Sequence, residues 1–406
     1  MGNAELENSY KPGQRELAAF AITHNPGLAA IRAQWDVHQS LLVEAGLLPD
    51  VQVSWDAMDV LASQITDGNS SSTDVIAGFG FLVPLRRPGE LDAREGIASG
   101  QLDGVRLRIK AAEWELTRKI FVACEKLSKE QQLTSQTEEL AQLLKSTSDF
   151  FRRAQEAGAV TAIEANLALG ELQAMQLKGI RAQANALLAQ QELNALLGLP
   201  PATAIDVVFN AKPEEYSEMQ LSIDDLTNLA IKSRPDLLGL LADYEVSEAQ
   251  LRLAISEQYP MIAIGTGLQL TLPLFSNFGE AAIKTARAKR EQQAREFKVA
   301  IHGARQQIAM EHSLWKLAQS EVEMVEDELL PNAERTLALC IESFEVGEIT
   351  LLETLALQRA LVDARTTRIE TRAARAQHSW NLLAASGCLL TTDSVKEYES
   401  PKNDEH

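Results

Sequence analysis

The sequence predicts a mainly α-helical fold in which long antiparallel coiled-coil helices form two tandem structural repeats, each with a short β-hairpin. Three observations support this prediction. Three pairs of landmarks are each separated by 189 positions, namely Pro84 and Pro273, Gly158 and Gly347, and Gly198 and Gly387. Aromatic residues make up only 5% of the chain, and its long stretches of Ala, Leu, Gln, Glu and Arg are typical of long packed helices. Two shorter segments alternate apolar and polar residues, as strands do.

The first repeat is assigned to residues 15–198. Apolar residues recur at helical spacing over residues 14–48, and Pro26 predicts either a kink or two separate helices there. Residues 50–84 alternate with a period of two on both sides of a turn-rich loop, which predicts a β-hairpin with strands of about ten residues. Helical sequence then continues to Glu156, on the order of 100 Å of helix, and a return helix ends at Gly198.

A loop-rich bridge at residues 199–222 leads to the second repeat, residues 223–387, and residues 388–406 form a polar tail. The second repeat is predicted to contain a helix at 223–258, a β-hairpin at 260–273, a long helix at 276–345 and a return helix.

The second hairpin is truncated. Pro260 and Pro273 are 13 positions apart, whereas Pro49 and Pro84 are 35 apart. Strands of about five residues would rise roughly 12 Å in a tilted sheet, against an apolar band of about 25 Å in a membrane-spanning one.

The return helices carry matching start signals. Thr161 precedes Glu164 by three positions, and Thr350 precedes Glu353 by three. A hydroxyl residue followed three positions later by glutamate predicts a capping box at each helix start.

Composition excludes several classes of function. The net charge of −19, without a basic stripe, argues against a nucleic-acid partner. The three cysteines and six histidines lack metal-ligand spacing, and no nucleophile elbow or phosphate loop occurs, so we expect no metal, no cofactor and no enzyme activity. The sequence has no apolar run of about 18 residues for a transmembrane helix.

The first ten residues are acidic and polar, without the basic start and apolar stretch of a signal peptide. This pattern is expected either for a mature or mis-started sequence or for a protein that stays inside the cell.

Several motifs carry a resemblance to a known family. They are Asn25-Pro26 and Leu48-Pro49 in the first repeat, and Arg234-Pro235, Pro273-Leu274-Phe275, Leu330-Pro331 and Gly387 in the second. In their order and spacing they resemble the TolC-like outer membrane efflux protein family. The run Pro273-Leu274-Phe275 with Asn277 and Gly279 is most similar to the heavy-metal efflux subgroup.

The resemblance implies a homotrimer in which each protomer gives four strands to one outer-membrane β-barrel. The long helices would form an α-barrel that extends as a tunnel through the periplasm. It also implies a location in the outer membrane and contact with outer-membrane lipid. An inner-membrane efflux pump and a periplasmic adaptor would deliver substrate, which the channel conducts passively without catalysis.

The resemblance also implies functional positions. The adaptor-contacting tips match Gly158, Ala159, Val160, Thr161, Gly347, Glu348, Ile349 and Thr350. The tunnel aperture matches Glu164, Phe344 and Glu353. An alternative interpretation is that the glycines and threonines only form turns and caps and that both glutamates only complete capping boxes. Phe344 and Ile349 occupy positions where family members carry a polar latch, so this sequence predicts no such latch.

Three hypotheses for the whole chain therefore remain. The first is an efflux conduit with a shortened or irregular barrel. The second is a soluble helical coiled-coil scaffold derived from this family that has lost the membrane pore. The third is a sequence damaged or trimmed at its start and in the second hairpin, whose parent was an ordinary channel.

Overall fold

The structure is a computed structural model that describes residues 12–47, 50–55, 79–209, 222–265, 268–271, 279–345 and 350–389. Its helices are α1 (Gln14–His24), α2 (Pro26–Gly46), α3 (Glu90–Glu156), α4 (Ala162–Leu197), α5 (Ile223–Ser233), α6 (Pro235–Ser256), α7 (Glu280–Met324), α8 (Leu330–Glu345) and α9 (Leu351–Ser386). Its strands are β1 (Gln52–Trp55), β2 (Phe79–Leu85), β3 (Met261–Gly265) and β4 (Leu268–Thr271). The predicted fold class, mainly α with a small antiparallel sheet, is confirmed.

The chain divides into two compact units. The helical unit comprises Met1–Ala29, Ala112–Arg234 and Ala304–His406, and the sheet unit comprises Ala30–Ala111 and Pro235–Gly303. Each unit therefore draws segments from both repeats. Residues 210–221 of the predicted bridge and 390–406 of the predicted tail lie outside the described residues.

A proline starts a new helix at the same point of each repeat. Pro26 begins α2, which confirms the two-helix alternative, and Pro235 begins α6, so the prediction of one helix over 223–258 is wrong. A residue before proline is sterically pushed out of the helical region. Accordingly Asn25 (ψ 121°) and Arg234 (ψ 119°) are extended.

The residue before each proline is anchored to the end of the return helix of its own repeat. Asn25 Nδ2 donates to the Leu196 carbonyl at 2.8 Å, and Arg234 Nη1 donates to the Ala385 carbonyl at 3.1 Å. The two acceptors lie 189 positions apart, as the landmarks do. The helical unit thus contains the same junction twice, made with an amide in one repeat and a guanidinium in the other.

Both return helices end in the same motif beside these junctions. Gly198 (φ 75°) and Gly387 (φ 83°) adopt the left-handed conformation that glycine permits. Leu199 N donates to the Asn194 carbonyl and Cys388 N donates to the Leu383 carbonyl, each at 2.9 Å. These bonds, with the shorter ones at the glycines, form Schellman motifs and satisfy the last carbonyls of each helix.

The long helices differ between the repeats. Helix α3 is continuous over 67 residues, about 100 Å, as predicted. The helix predicted at 276–345 is found from Glu280 to Glu345, but a π-helical turn, Val325–Leu329, lies within it between α7 and α8. Pro331 has no N–H, and its ring would clash with the carbonyl four positions earlier, so a wider turn here relieves the conflict.

The main core of the helical unit joins α1, α3, α4 and α9. Ile120, Leu193 and Leu197 are fully buried there, and the rings of Phe121 and Trp380 stack at 4.4 Å. The core therefore contains helices of both repeats.

The strands form one antiparallel sheet in the order β1-β2-β3-β4, within the sheet unit. Pairing of β2 with β3 joins the hairpins of the two repeats. The truncation predicted for the second hairpin is confirmed, since β3 has 5 residues and β4 has 4. Residues 56–78, which carry most of the predicted long first hairpin, lie outside the described residues.

Across the described ranges, no helix combines the length and apolar character that a membrane crossing requires.

Candidate functional site

The first helical tip is a tight turn between α3 and α4. Gly158 has a φ of 72° and its amide donates to the Gln155 carbonyl at 2.9 Å. The Ala159 amide donates to the Ala154 carbonyl at 2.8 Å, which completes a Schellman motif. Gly158, Ala159 and Thr161 are exposed, so this tip presents small side chains and a hydroxyl at its surface.

Thr161 and Glu164 form the predicted capping box. The Thr161 amide and hydroxyl each donate to Glu164 Oε2 at 2.8 Å, and the Glu164 amide donates back to Thr161 Oγ1 at 3.3 Å. The hydrogen bond from the Thr161 backbone, followed by that from its side chain, lowers the pKa of the Glu164 carboxyl. The carboxylate is therefore the form that the cap stabilises.

The second capping box repeats this geometry. Thr350 N and Oγ1 donate to Glu353 Oε2 at 2.8 and 2.9 Å, and the Glu353 amide donates to Thr350 Oγ1 at 3.4 Å. The same hydrogen bonds lower the pKa of Glu353, the backbone one most. Both predicted caps are confirmed as structure; the adaptor and aperture roles of these residues remain predictions.

Most of the second tip cannot be compared with the first. Gly347, Glu348 and Ile349 lie outside the described residues. Phe344 belongs to α8, but its side chain is not among those described. The prediction that this sequence lacks a polar latch therefore also lies outside the described part of the chain.

An apolar cluster connects the first tip to helix α9 of the second repeat. The sequence did not predict this contact. Val160 packs against Phe151, Ala165 and Ala168 together with Leu355 of α9. Val160 and Ala165 occupy the two positions of a hydrophobic staple around the Thr161 cap. That staple pattern is the sequence signal that could have identified Val160 as a packing residue as well as a tip residue.

Two ion pairs join α4 to α9 further from the tips. Arg359 pairs with Glu171, and Lys178 Nζ lies 3.5 Å from Asp363 Oδ1. Exposed pairs of this kind contribute only about 0–1 kcal/mol each. We therefore infer that these ion pairs fix the register of α4 relative to α9 and add little to stability.

A cluster of arginines surrounds the π-helical turn. The Arg372 side chain donates to Glu326, which lowers the pKa of this carboxyl, and the charges of Arg372, Arg375 and Arg368 add to the effect. The sequence alone does not predict this cluster, since nothing in local periodicity places Glu326 opposite α9.

In the described part of the chain, no three His, Cys, Asp or Glu side chains come together as they would around a metal ion. His312 of α7 lies near Trp315, with ring centroids 6.3 Å apart.

The capping boxes give a direct prediction. Thr161→Ala and Thr350→Ala should each destabilise the helical unit by about 0.5–2 kcal/mol, because each leaves helix-start amides without an acceptor. Amide hydrogen exchange in the first turns of α4 and α9 measures the effect. Thr147→Ala is the matched control, since the Thr147 hydroxyl only bonds the Leu143 carbonyl within α3 and should change little.

These caps should also depend on pH. Because the folded-state pKa values of Glu164 and Glu353 are lowered, the caps contribute at neutral pH and are lost as the pH falls through those lowered values. Equal exchange protection of the first turns at neutral and acid pH would contradict this.

Part of the sequence matches the model of a known protein family. Residues 226–388 match the family described as outer membrane efflux protein. The match begins and ends within a few residues of the second repeat. No curated protein shows significant similarity to the sequence.

Solved structures show similarity over nearly the whole chain. The outer membrane protein VceC from Vibrio cholerae aligns with a TM-score of 0.74 and 16% identity, covering 92% of this chain and 96% of VceC. The CmeC outer membrane channel of Campylobacter jejuni gives 0.75 and 14%, covering 95% and 88%. The open state of the MtrE outer membrane channel of Neisseria gonorrhoeae gives 0.74 and 15%, covering 93% and 90%.

At these identities the structural matches establish the fold alone. The described residues have the fold of TolC-like outer-membrane channels, and the second repeat carries the sequence signature of outer membrane efflux proteins.

Proposed function

We propose that this protein is the outer-membrane channel of a tripartite efflux system. As a homotrimer it would passively conduct substrate that an inner-membrane pump expels through a periplasmic adaptor. The sheets of its protomers would together line the passage through the membrane, and the helices would extend it into the periplasm.

The observation that carries this proposal is the composition of one face of the sheet. Residues directly opposite each other in antiparallel strands share a face. The register therefore places on one face Val53, Phe81, Val83, Leu85, Ile262, Ile264, Leu268 and Leu270. All eight are exposed large hydrophobic residues. A continuous apolar face of this size requires an apolar environment, and outer-membrane lipid provides one.

The internal repeat supports assembly with further copies. Within the sheet unit, α6 packs closely on α3, where Val246 Cγ2 lies 2.7 Å from the position that a Cβ of Gly100 would take. The repeat relates α6 to α2 and α3 to α7. Val37 in α2 is the counterpart of Val246, because each valine lies 11 positions after the proline that begins its helix, and it is 58% exposed. Packing of α2 against a helix of a neighbouring copy would cover Val37.

The tips and the substrate are assigned from the resemblance. The exposed Gly158–Thr161 turn and its counterpart at Gly347–Thr350 would contact the adaptor, and Glu164, Phe344 and Glu353 would surround the aperture. The motif around Pro273 favours metal ions as substrate.

One observation favours a second candidate function. The pair Ile264 and Leu268 leaves only three residues for the turn, so β3 and β4 end far short of a membrane-spanning length. A soluble helical scaffold that has lost the pore would need no longer hairpin.

Membrane fractionation of the full chain, expressed with a signal peptide, distinguishes the two candidates. A channel should be recovered in outer membranes as a trimer that dissociates on heating, and it should restore export in cells that contain a pump and adaptor but lack their channel. Recovery only as a soluble monomer would favour the scaffold. Export of metal ions and of drugs should be measured separately, because the substrate class depends on that comparison.

The tip assignment has its own variant. Gly158→Leu should leave the trimer intact but abolish export, because a bulky side chain keeps the adaptor from the small tip. Gly158→Ala is the matched control, since it carries the same strain at a φ of 72° without the bulk of leucine. Normal export by Gly158→Leu would show that this tip does not contact the adaptor.

A further inference from the structure

A cleft lies between the start of α3 and the end of α6, within the sheet unit. Its volume of about 280 Å³ is close to the lower limit, about 300 Å³, of pockets that hold small molecules. Arg252, Ser256 and Tyr259 line it on one side, and Asp92 lines it from the first turn of α3. The cleft therefore has room for a small polar group and carries both a positive and a negative side chain.

This cleft lies at the end of the apolar face of the sheet. Leu85 pairs with Ile262 in the last described pair between β2 and β3. Pro88 and Tyr259, which line the cleft, each lie three positions beyond this pair. The Tyr259 side chain is 52% exposed. Because aromatic and basic residues that border an apolar surface are typical of the level of lipid headgroups, the cleft is placed where headgroups would meet the protein.

The two charged side chains of the cleft have no partner within the chain. Among the residues that the structure describes, neither the Arg252 guanidinium nor the Asp92 carboxylate forms a side-chain hydrogen bond or an ion pair. The neighbouring Glu90 carboxylate differs, since it pairs with Arg94 and accepts a hydrogen bond from the Arg87 amide. Opposite charges thus line one cleft without pairing with each other, and a ligand that carries both charges would satisfy both.

Two further arginines add positive charge at this level. Arg86 and Arg87 connect β2 to Pro88 at the edge of the cleft. Over the described ranges, Arg86 Nε and Nη1 and Arg87 Nε are buried without a hydrogen-bond partner. A buried polar group without a partner is costly, and guanidinium groups bind phosphate oxygens by strong charge-assisted hydrogen bonds. The surroundings of the cleft therefore favour a ligand whose anionic part is a phosphate.

We propose that this cleft binds the headgroup of phosphatidylethanolamine, from the membrane leaflet nearer the helices. Arg252 holds the phosphate and Asp92 holds the ammonium group, each by a charge-assisted hydrogen bond. The acyl chains of the same lipid extend along the apolar face of the sheet. This inference rests on the proposed function, because it requires the sheet to enter a membrane.

Native mass spectrometry of the full-chain trimer, purified from outer membranes and mixed with single lipids, tests the proposal. Phosphatidylethanolamine should be retained about tenfold more than phosphatidylcholine or phosphatidylglycerol, since a hydrogen bond between charged groups contributes about that factor. The ammonium group of phosphatidylcholine is fully methylated and cannot donate, and phosphatidylglycerol has no ammonium group.

Two substitutions separate the roles of the charges. Asp92→Asn should abolish the preference for phosphatidylethanolamine over phosphatidylglycerol, whereas Arg252→Gln should lower the retention of all three lipids. Asp103→Asn in α3 and Arg287→Gln in α7 are the matched controls, because both side chains are exposed and lie outside the cleft. Both controls should keep the wild-type preference.

Three results would overturn the inference and leave the channel proposal standing. They are equal retention of the three lipids by a trimer recovered from outer membranes, an unchanged preference in Asp92→Asn and Arg252→Gln, and displacement of phosphatidylethanolamine by inorganic phosphate alone. The last result would show that the cleft binds free phosphate instead of a headgroup. Recovery of the chain only as a soluble monomer would overturn both.

Discussion

Replacing Gly265 with valine is expected to destroy the pairing between β2 and β3. An added Cβ would lie 1.8 Å from the Phe81 carbonyl oxygen and 2.7 Å from its carbon. Both are backbone atoms of the neighbouring strand, so no side-chain rotation can relieve the contact. We expect a loss of about 3 kcal/mol or more, from overpacking together with several lost ladder hydrogen bonds.

Thermal unfolding and amide exchange across β3 measure the effect of Gly265→Val. Gln269→Val is the control, because it introduces the same side chain at an exposed position of β4 and should change stability by less than about 1 kcal/mol. Native exchange protection of β3 in Gly265→Val would contradict the register described for this sheet.

Gly387→Ala should have the next largest effect. The left-handed φ of 83° strains any side chain, and the new Cβ would lie 2.0 Å from Ser233 Oγ and 3.2 Å from Ser233 Cβ. The Ser233 hydroxyl also donates to the Leu229 carbonyl at 2.7 Å, a bond that would have to break. We expect destabilisation of about 2–4 kcal/mol, measured by denaturant unfolding.

Two further variants separate strain from collision. Gly158→Ala has a similar φ of 72° but no atom within 4 Å of the added Cβ, so it should show the strain alone, about 1–2 kcal/mol. Combining Gly387→Ala with Ser233→Ala should recover part of the loss, since only the hydroxyl contact is removed. If Gly158→Ala and Gly387→Ala lose equal stability, the close packing at Ser233 is not significant.

The parts of the fold that the sequence predicted well depend on local chemistry. The Thr161 and Thr350 caps, the left-handed glycines at 198 and 387 and the short β3–β4 hairpin all follow from residues within a few positions of one another. Each is determined by backbone groups that a neighbouring side chain satisfies or excludes.

The features that the sequence did not predict depend on contacts between distant residues, or on local signals that were given too little weight. Pro235 was visible in the sequence, yet one helix was predicted across it, because apolar periodicity was given more weight than the missing N–H. At Pro331 the helix does continue, but through a π turn that was not predicted. The contact of Val160 with Leu355 and that of Glu326 with Arg372 join segments far apart in sequence. Periodicity identifies which face of a helix is apolar, but it does not identify which helix covers that face.

The π-helical turn at Val325–Leu329 makes the two long hairpins unequal, although their landmarks are equally spaced. A π turn takes up close to one residue more than an α turn, so side chains beyond it lag by about a quarter of a rotation. The first repeat has no such turn, since α3 is continuous. Beyond the turn, residues that correspond by position nevertheless have the same burial, since Phe151 and Cys340 are both buried and Phe150 and Leu339 are both exposed. The extra residue of the π turn is thus absorbed within the second helical hairpin, and α3 and α8 approach their ends with the same faces buried.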